Sequence, residues 1–171
     1  MHTFQPYPTD LLDFNPWQKI SEEWFAITTE CDGKANAMTA SWGTVGTLWG
    51  KKVVTVFIRE SRYTKELLDK TDTFSCCFFD PADKHSKSTL KFLASASGRQ
   101  EDKLTEWHLD INHVNDIAFI DQACFAILCK KMAKVELNES TFIDPSILPE
   151  WYKDGDFHTM YVGEIVEVLA R

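Results

Sequence analysis

Several common signatures are missing from this sequence of 171 residues. It has no run of about 20 apolar residues, which a membrane-spanning helix needs. It has no G-x-G-x-x-G turn, so a separate dinucleotide-binding domain is not indicated. Its five cysteines include no C-x-x-C pair, and an odd count without that spacing favours neither a disulfide framework nor a zinc site.

An excess of basic residues is also missing. Lysine and arginine number 18 against 26 acidic residues, which gives a net charge of −8. A protein binds nucleic acid through a basic surface that neutralises the phosphates and releases their counterions. Because this chain is acidic, we predict no nucleic-acid partner. The acidic chain nevertheless contains a local cluster of cations that suits a small anion better than a polymer, formed by Lys51, Lys52, Arg59, Arg62 and Lys65.

Cysteine and histidine spacing predicts structural thiols and no metal site. Cys76 and Cys77 are adjacent in a strand-like segment and would face opposite sides of a sheet, where buried reduced thiols are expected. His108 and His113 are five residues apart, a spacing that does not place two ligands on one helical face. We therefore predict that these histidines are surface or loop residues.

The length predicts a single domain over residues 1–171, with residues 1–20 as an N-terminal arm. The arm is rich in proline and polar residues, and a short helix is predicted over 16–23, with Pro16 in its first turn. Asp10 and Asp13 precede any long apolar segment, so we expect neither a signal peptide nor a membrane span and place the protein in the cytoplasm.

Hydrophobic patterning predicts an α+β fold in which strands predominate. Asp32 and Gly33 form a hairpin signal between the first two strands. Helices are predicted over 64–70 and 86–96, the second with Ser86 or Ser88 as its N-cap. The absence of strict βαβ alternation favours an antiparallel barrel with a few peripheral helices. Strands are predicted over 24–30, 36–42, 53–58, 74–79, 123–135 and 158–169.

The segment 59–64 has the composition of a phosphate site. It lies between a predicted strand and a predicted helix, where unpaired N–H groups and the helix dipole favour an anion. Two guanidinium groups and two hydroxyls stand there, from Arg59, Ser61, Arg62 and Thr64. The alternative is that Ser61 or Thr64 caps the helix while the arginines point to water.

The segment 36–42 has the composition of a wall for a flat ligand. As a strand it would place Asn36, Met38, Ala40 and Trp42 on one face, and Ala37, Thr39 and Ser41 on the other. Small and hydroxylic side chains let a planar ligand lie against the backbone. We predict that the following glycines break the strand into a loop that carries Trp49, the glycines being Gly43, Gly46 and Gly50.

These stretches together resemble the FMN-binding split-barrel family, of the flavin reductase and flavoredoxin type. The resemblance extends over about 24–168, and Glu60 and Gln100 depart from the family pattern, which usually has proline and aspartate there. The matching pieces are ECDGKANAM leading into NAMTASWG at 36–43, VFIRESRYT at 56–64, SGRQEDK at 97–103 and MYVGEI at 160–165.

The resemblance implies a mostly antiparallel split barrel that binds FMN, with FAD possible, and that uses NAD(P)H as a transient electron donor. It also implies a homodimer with the flavin near the subunit boundary. No membrane partner is predicted, because the sequence has no long apolar segment. In this family the lysine of the third piece, Lys103 here, reaches the cofactor; its alternative is a solvated loop lysine. The predicted cofactor-binding residues are Asn36, Met38, Thr39, Ala40, Ser41, Trp42, Trp49, Arg59, Ser61, Arg62, Tyr63, Thr64 and Lys103.

His158 is the one polar candidate for the redox end of such a site. It opens the last predicted strand, where it could hydrogen-bond a flavin or a substrate; the alternative is a histidine that is solvated or bound to backbone. Two functions remain open. One is an NAD(P)H-dependent flavin reductase or flavoredoxin-like electron carrier, and the other is a non-catalytic flavin- or nucleotide-binding module that uses Arg59 and Arg62 for a phosphate.

Overall fold

A computed structural model describes residues 3–171, so the first two residues of the predicted arm lie outside the described range. Strands account for most of the regular structure, as the sequence predicts. In chain order they are β1 (Gln5–Pro6), β2 (Phe25–Cys31), β3 (Lys34–Ala40), β4 (Gly43–Leu48), β5 (Lys51–Arg59), β6 (Thr73–Phe78), β7 (Ile111–Val114), β8 (Ile117–Ile120), β9 (Phe125–Glu136) and β10 (His158–Ala170).

The helices are short and lie outside the main sheet. The arm contains a 3-10 turn at Thr9–Leu11 and a π-helical turn at Trp17–Glu22, the latter within the predicted helix 16–23. A second 3-10 turn covers Glu139–Thr141. The α-helices are α1 (Tyr63–Leu68), α2 (Lys84–Ser95), α3 (Lys103–Glu106) and α4 (Ile147–Trp151).

The main sheet is antiparallel and barrel-like. Its strands follow the order β3-β2-β6-β9-β10-β5-β4, and β1 pairs with β10 outside this path. The strands at the two ends of the path, β3 and β4, are consecutive in the chain but are not hydrogen-bonded to each other. The barrel is therefore split along one side. This architecture confirms the predicted fold class of a mostly antiparallel barrel with peripheral helices.

Tight two-residue turns build the hairpins at the split. Asp32 and Gly33 both have positive φ (52° and 73°) between β2 and β3, which confirms the predicted hairpin. Trp49 and Gly50 likewise have positive φ (51° and 71°) between β4 and β5. The prediction of a loop after Gly43 is therefore wrong. An edge strand tolerates glycines, and the β-branched residues between and after them, Thr44, Val45 and Thr47, pair with β5.

The sheet buries a hydrophobic core on each face. Inside the barrel, Phe25, Phe74 and Tyr161 are almost fully buried. The outer core packs the opposite face against α2 and the two-stranded sheet of β7 and β8. Cys76 belongs to the inner core and Cys77 to the outer one, so the prediction of buried thiols on opposite faces is confirmed.

The N-terminal arm lies on the barrel. Gln5 and Pro6 pair with the end of β10, and Phe4 packs edge-on against Phe119 at 5.1 Å between ring centroids. Phe14 packs in the same way against Phe78 at 5.4 Å. Aromatic side chains thus fix an otherwise polar segment. Within the described residues, no helix is both long enough and apolar enough to cross a membrane.

Two local features differ from the sequence predictions. Helix α2 begins at Lys84, two residues earlier than predicted, because Asp83 and not a serine is the N-cap; its carboxylate accepts from the amides of His85 and Ser86. The hairpin of β7 and β8 was not predicted. Its turn residues, Asn115 and Asp116, both adopt positive φ, which these residue types tolerate.

Candidate functional site

A cleft runs along the split of the barrel. One wall is β3 with the two residues that follow it, and the other is the end of β5. Because β3 ends the path of the sheet, the backbone N–H and C=O groups along its outer edge have no strand partner among residues 3–171 and are available to a ligand. The cleft brings together five residues predicted from the segment 36–42: Met38, Thr39, Ala40, Ser41 and Trp42.

Aromatic side chains enclose this part of the cleft. Trp42 contacts Trp151 edge-on at 5.0 Å between ring centroids, and it contacts the His158 ring at 4.9 Å. Phe57, from β5, lines the same space. This end of the cleft therefore has flat apolar walls next to an unpaired strand edge. We call it the ring end.

His158 is a buried, neutral residue of the ring end. It opens β10, opposite Arg59 in register, and is 7% exposed. Burial, together with the nearby Arg59 charge, lowers the pKa of His158 to about 4, so the imidazole is neutral at pH 7. Its Nδ1 lies 2.9 Å from the Tyr152 hydroxyl. A hydroxyl that donates to Nδ1 leaves the Nε2–H as a donor, and the alternative of a solvated histidine is wrong.

A second cleft adjoins the first, and the two share Met38 and Arg62. Its walls come from β3, the start of α1 and the chain that follows α2. Asn36 and Thr64 are buried there, and the Asn36 amide donates to the Thr64 hydroxyl at 2.8 Å. This cleft is lined mainly by hydroxyls and cations, and the Tyr63 ring is its one aromatic lining residue among residues 3–171. We call it the anion end.

Lys103 is the buried cation of the anion end. It is the first residue of α3 and is 3% exposed, so the alternative of a solvated loop lysine is wrong. Its Nζ donates only to two backbone carbonyls, of Leu93 at 3.3 Å and Ala96 at 3.2 Å, and no described carboxylate lies within ion-pair distance. Burial, with a smaller contribution from the Arg62 charge, lowers the pKa of Lys103 to about 8.

Arg62 is exposed, lines both clefts and is bound only on one side. One guanidinium nitrogen, Nη1, donates to the carbonyl of Ala94 at 3.2 Å. The remaining donors of this guanidinium are available to a ligand. Lys65, a neighbouring cation of the same predicted cluster, is not: its Nζ is paired with Glu60 at 3.0 Å and with Asp69 at 2.8 Å.

Arg59 and Ser61 are bound by the segment 137–157, which passes over the cleft. Arg59 donates to the backbone carbonyls of Asp156 at 2.7 Å and Trp151 at 3.1 Å. Ser61 gives both of its donors to the Asp156 carboxylate, the N–H at 3.0 Å and the hydroxyl at 2.6 Å. These two residues lie at the cleft, as the sequence predicts. However, the donor groups that were predicted to bind a phosphate are hydrogen-bonded to Trp151 and Asp156.

Tyr63 forms the outer boundary of the anion end. Its ring lies 4.9 Å from the Lys34 ammonium and 6.0 Å from the Arg99 guanidinium, a cation–π arrangement that fixes the side chain. Gly98 packs against it from inside. A Cβ at Gly98 would lie 2.2 Å from Oδ1 of Asn36 and 3.0 Å from the Tyr63 ring, so only glycine fits between them.

Trp49 is the predicted residue that the structure does not bring to the cleft. It occupies the tip of the β4–β5 hairpin, is 62% exposed, and is six residues beyond Gly43. At the rise of an extended strand this separation is about 20 Å. Within this chain, Trp49 therefore stands apart from the other candidate residues.

Four residues of the site were missed from the sequence: Phe57, Trp151, Tyr152 and Asp156. Phe57 lies in a predicted strand, but its hydrophobicity carried no sign of a role in a cleft. The other three lie between the predicted strands 123–135 and 158–169, where no site residue was predicted. Only the path of the folded chain brings Trp151 and Tyr152 to the ring end and Asp156 to Ser61.

The predicted surface histidines remain outside the cleft. His113 lies in β7 with its Nε2 2.8 Å from a Glu30 carboxylate oxygen, and His108 occupies a turn with φ 53°. In the part of the chain that the structure covers, no three metal-binding side chains are grouped as a ligand set.

The fold is shared with solved flavoproteins at low sequence identity. A flavoredoxin from Methanosarcina acetivorans aligns with a TM-score of 0.68 and 17% identity, over 87% of this chain and 68% of that one. An FMN-binding domain of a flavin reductases-like enzyme from Shewanella baltica gives 0.69 and 13%, over 98% and 77%. The NADH:FAD oxidoreductase of Streptomyces globisporus gives 0.64 and 15%, over 87% and 75%.

Identities this low establish the fold alone. No protein of curated function matches the sequence. The family comparison is more specific, because residues 18–171 match the family described as the flavin reductase like domain. This match includes both ends of the cleft and nearly the whole chain. The resemblance drawn from the sequence motifs is thus confirmed, and the chain belongs to the flavin reductase like domain family.

Proposed function

We propose that this protein binds FMN and acts as an NAD(P)H-dependent flavin reductase or as a flavoredoxin-like electron carrier. The observation that carries the proposal is a buried lysine without an acidic partner, Lys103, at one end of a cleft whose other end has aromatic walls. A molecule with a phosphate at one end and a flat ring at the other fits both ends.

The anion end has the chemistry that a phosphate requires. A buried cation that bonds only to neutral carbonyls is unfavourable unless an anion neutralises it. Lys103 and Arg62 would supply that neutralisation, and the Thr64 hydroxyl is positioned by Asn36. These residues fit the phosphate of FMN. FAD would bring a pyrophosphate with less charge on each phosphorus, so we expect it to bind less tightly.

The ring end would hold the isoalloxazine. FMN, when bound, supplies two-electron chemistry that accepts a hydride from a reduced nicotinamide and passes electrons on. The unpaired backbone edge from Met38 to Ser41 would orient the polar edge of the ring, while Trp42 and Trp151 would exclude water. His158 stays neutral at pH 7 and would donate a hydrogen bond from Nε2 without adding charge.

A nicotinamide dinucleotide is the proposed electron donor. The sequence contains no dinucleotide-binding motif, so NAD(P)H would bind transiently over the ring and not in a domain of its own. The Streptomyces globisporus relative is named as an NADH:FAD oxidoreductase, which supports a nicotinamide donor and keeps FAD as a second flavin.

We further propose that two copies of the chain form a homodimer. Large apolar side chains are exposed on the surface of the described residues, with Trp17 at 78%, Leu11 at 69% and Trp49 at 62%. An apolar groove lined by Pro16, Trp17 and Val45 continues into the ring end through Trp42. A second copy of the chain would cover this surface and bring another hairpin tip towards the flavin.

The proposed location is the cytoplasm, where NAD(P)H is available. All five cysteines are free thiols, which agrees with a reducing compartment.

The function is tested by purifying the protein, reconstituting it with FMN and adding NAD(P)H without oxygen. The proposal predicts a yellow protein that NAD(P)H bleaches, with the colour restored by an added electron acceptor. A yellow protein that NAD(P)H does not bleach would support electron transfer from a protein donor, or storage without turnover. A protein that binds neither FMN nor FAD would refute the proposal.

A further inference from the structure

The Asp156 carboxylate lies where an anion would bind. Both donors of Ser61 converge on it, the backbone N–H on one oxygen and the hydroxyl on the other. A carboxylate and a phosphate accept such bonds in the same way, because each presents charged oxygens to N–H and O–H donors. Ser61 lines the anion end, so its present partner is next to the space proposed for the phosphate.

Hydrogen bonds anchor the main chain that carries this carboxylate. Arg59 donates to the Asp156 carbonyl at 2.7 Å. The turn before it is closed by two backbone bonds, from Gly155 to Tyr152 and from Phe157 to Gly155, both at 3.0 Å. Asp156 therefore cannot leave Ser61 by a simple rotation of the whole segment. A ligand must either compete with the carboxylate or bind beside it.

We propose that Asp156 is a specificity-determining residue, whose carboxylate competes with the incoming phosphate for Ser61 and so limits how strongly the site prefers FMN to riboflavin. This inference rests on the proposed function, since it concerns the same anion end. A phosphate that takes the Ser61 donors must break two bonds to a charged group. A phosphate held only by Arg62 and Lys103 still lies near a like charge, and both situations weaken binding.

The effect is confined to flavins that carry a phosphate. Riboflavin has the same ring and ribityl chain but no charge to oppose Asp156. Loss of the carboxylate should therefore strengthen FMN binding and leave riboflavin binding unchanged. A residue that merely holds the segment 137–157 in place would behave differently, because its loss would loosen Trp151 and Tyr152 over the ring and weaken both flavins together.

Asp156→Asn is the variant that separates these roles. Its amide oxygen still accepts the Ser61 N–H, so the segment keeps one attachment, while the negative charge is removed. Asp156→Ala removes both acceptor oxygens. If this variant also loosens the segment 137–157, both flavins are weakened together, so the ratio of FMN affinity to riboflavin affinity still tests the inference. The matched control is Asp154→Asn, which makes the same change of charge on the same segment at an exposed residue; its carboxylate has no hydrogen-bond partner among residues 3–171.

Equilibrium titration of the apoproteins with FMN and with riboflavin decides the inference. We expect Asp156→Asn to bind FMN about tenfold more tightly, which corresponds to about 1.4 kcal/mol. Riboflavin affinity should change less than about twofold, and Asp154→Asn should leave the ratio of the two affinities unchanged.

An unchanged or smaller ratio in both Asp156 variants would overturn the inference, as would an equal rise of the ratio in Asp154→Asn. A wild-type protein that binds FMN and riboflavin equally would overturn the phosphate assignment. If it binds neither flavin, the proposed function fails as a whole, and this inference fails with it.

Discussion

Lys103→Met removes the buried cation of the anion end while nearly preserving the length of the side chain. Lys103 is 3% exposed, and its pKa is lowered from the usual 10.5 to about 8. This difference corresponds to about 3 kcal/mol against the charged form in the folded protein at pH 7. Because the unfolded chain holds this proton up to a higher pH, the free energy of unfolding should rise with pH between about 8 and 10.5.

A bound phosphate stabilises the charged form of Lys103 and so opposes the lowering of its pKa by burial. FMN affinity should therefore depend on the protonation of Lys103. At pH 9 about nine-tenths of this lysine is neutral in the apoprotein, so FMN should bind about tenfold more weakly than at pH 7. In Lys103→Met the affinity at pH 7 should fall about ten- to hundredfold, the value of a charge-assisted bond of about 1.5 to 3 kcal/mol.

Titration of the apoproteins by flavin fluorescence at pH 7, 8 and 9 measures both effects. The loss between pH 7 and pH 9 should be absent in Lys103→Met. It should also be absent in Lys103→Arg, because a guanidinium stays charged over this range. Riboflavin serves as the control ligand and should show no such dependence. A wild-type protein without this pH dependence, or a Lys103→Met variant that retains the full tenfold loss, would show that Lys103 does not bind the phosphate.

Three further predictions concern neighbouring features. Arg62→Ala should weaken FMN about tenfold in the same titration without lowering the midpoint of denaturation, because Arg62 is exposed and bonds only one carbonyl; a change below about twofold would contradict a phosphate contact. Gly98→Ala should destabilise the fold by about 1 to 3 kcal/mol in urea denaturation, because its Cβ would displace Asn36 from Thr64. An unchanged denaturation midpoint would show that the neighbouring side chains accommodate the methyl group. Sedimentation of the flavin-loaded protein at micromolar concentration should show a dimer, and a monomer alone would count against the proposed interface.

The barrel was predictable because its main signals are local. Runs of β-branched and aromatic residues identified the long strands β5, β9 and β10, and the Asp32-Gly33 turn fixed the first hairpin. The glycines of β4 misled the prediction, because their compatibility with a strand depends on its place at the edge of the sheet. The β7–β8 hairpin was missed since its segment has no clear period and its turn lacks glycine.

The site was predictable only where one short segment provides several of its groups. The segments 36–42 and 59–64 each carry their own motif, and they meet in the cleft. What occupies Arg59 and Ser61 could not be predicted, because their partners are more than 90 residues away along the chain. The burial of Lys103 likewise depends on its contact with the C-terminal part of α2, which the hydrophobic periodicity of the sequence does not reveal.

We propose that the anion end holds the phosphate of a flavin. Equilibrium titration of the wild-type apoprotein with FMN and with riboflavin is the decisive experiment. Riboflavin leaves Arg62 and Lys103 without an anion, so it should bind more weakly than FMN by about a hundredfold or more, which corresponds to several kcal/mol. Equal affinities for the two flavins would mean that these residues do not hold a phosphate, and would contradict the account.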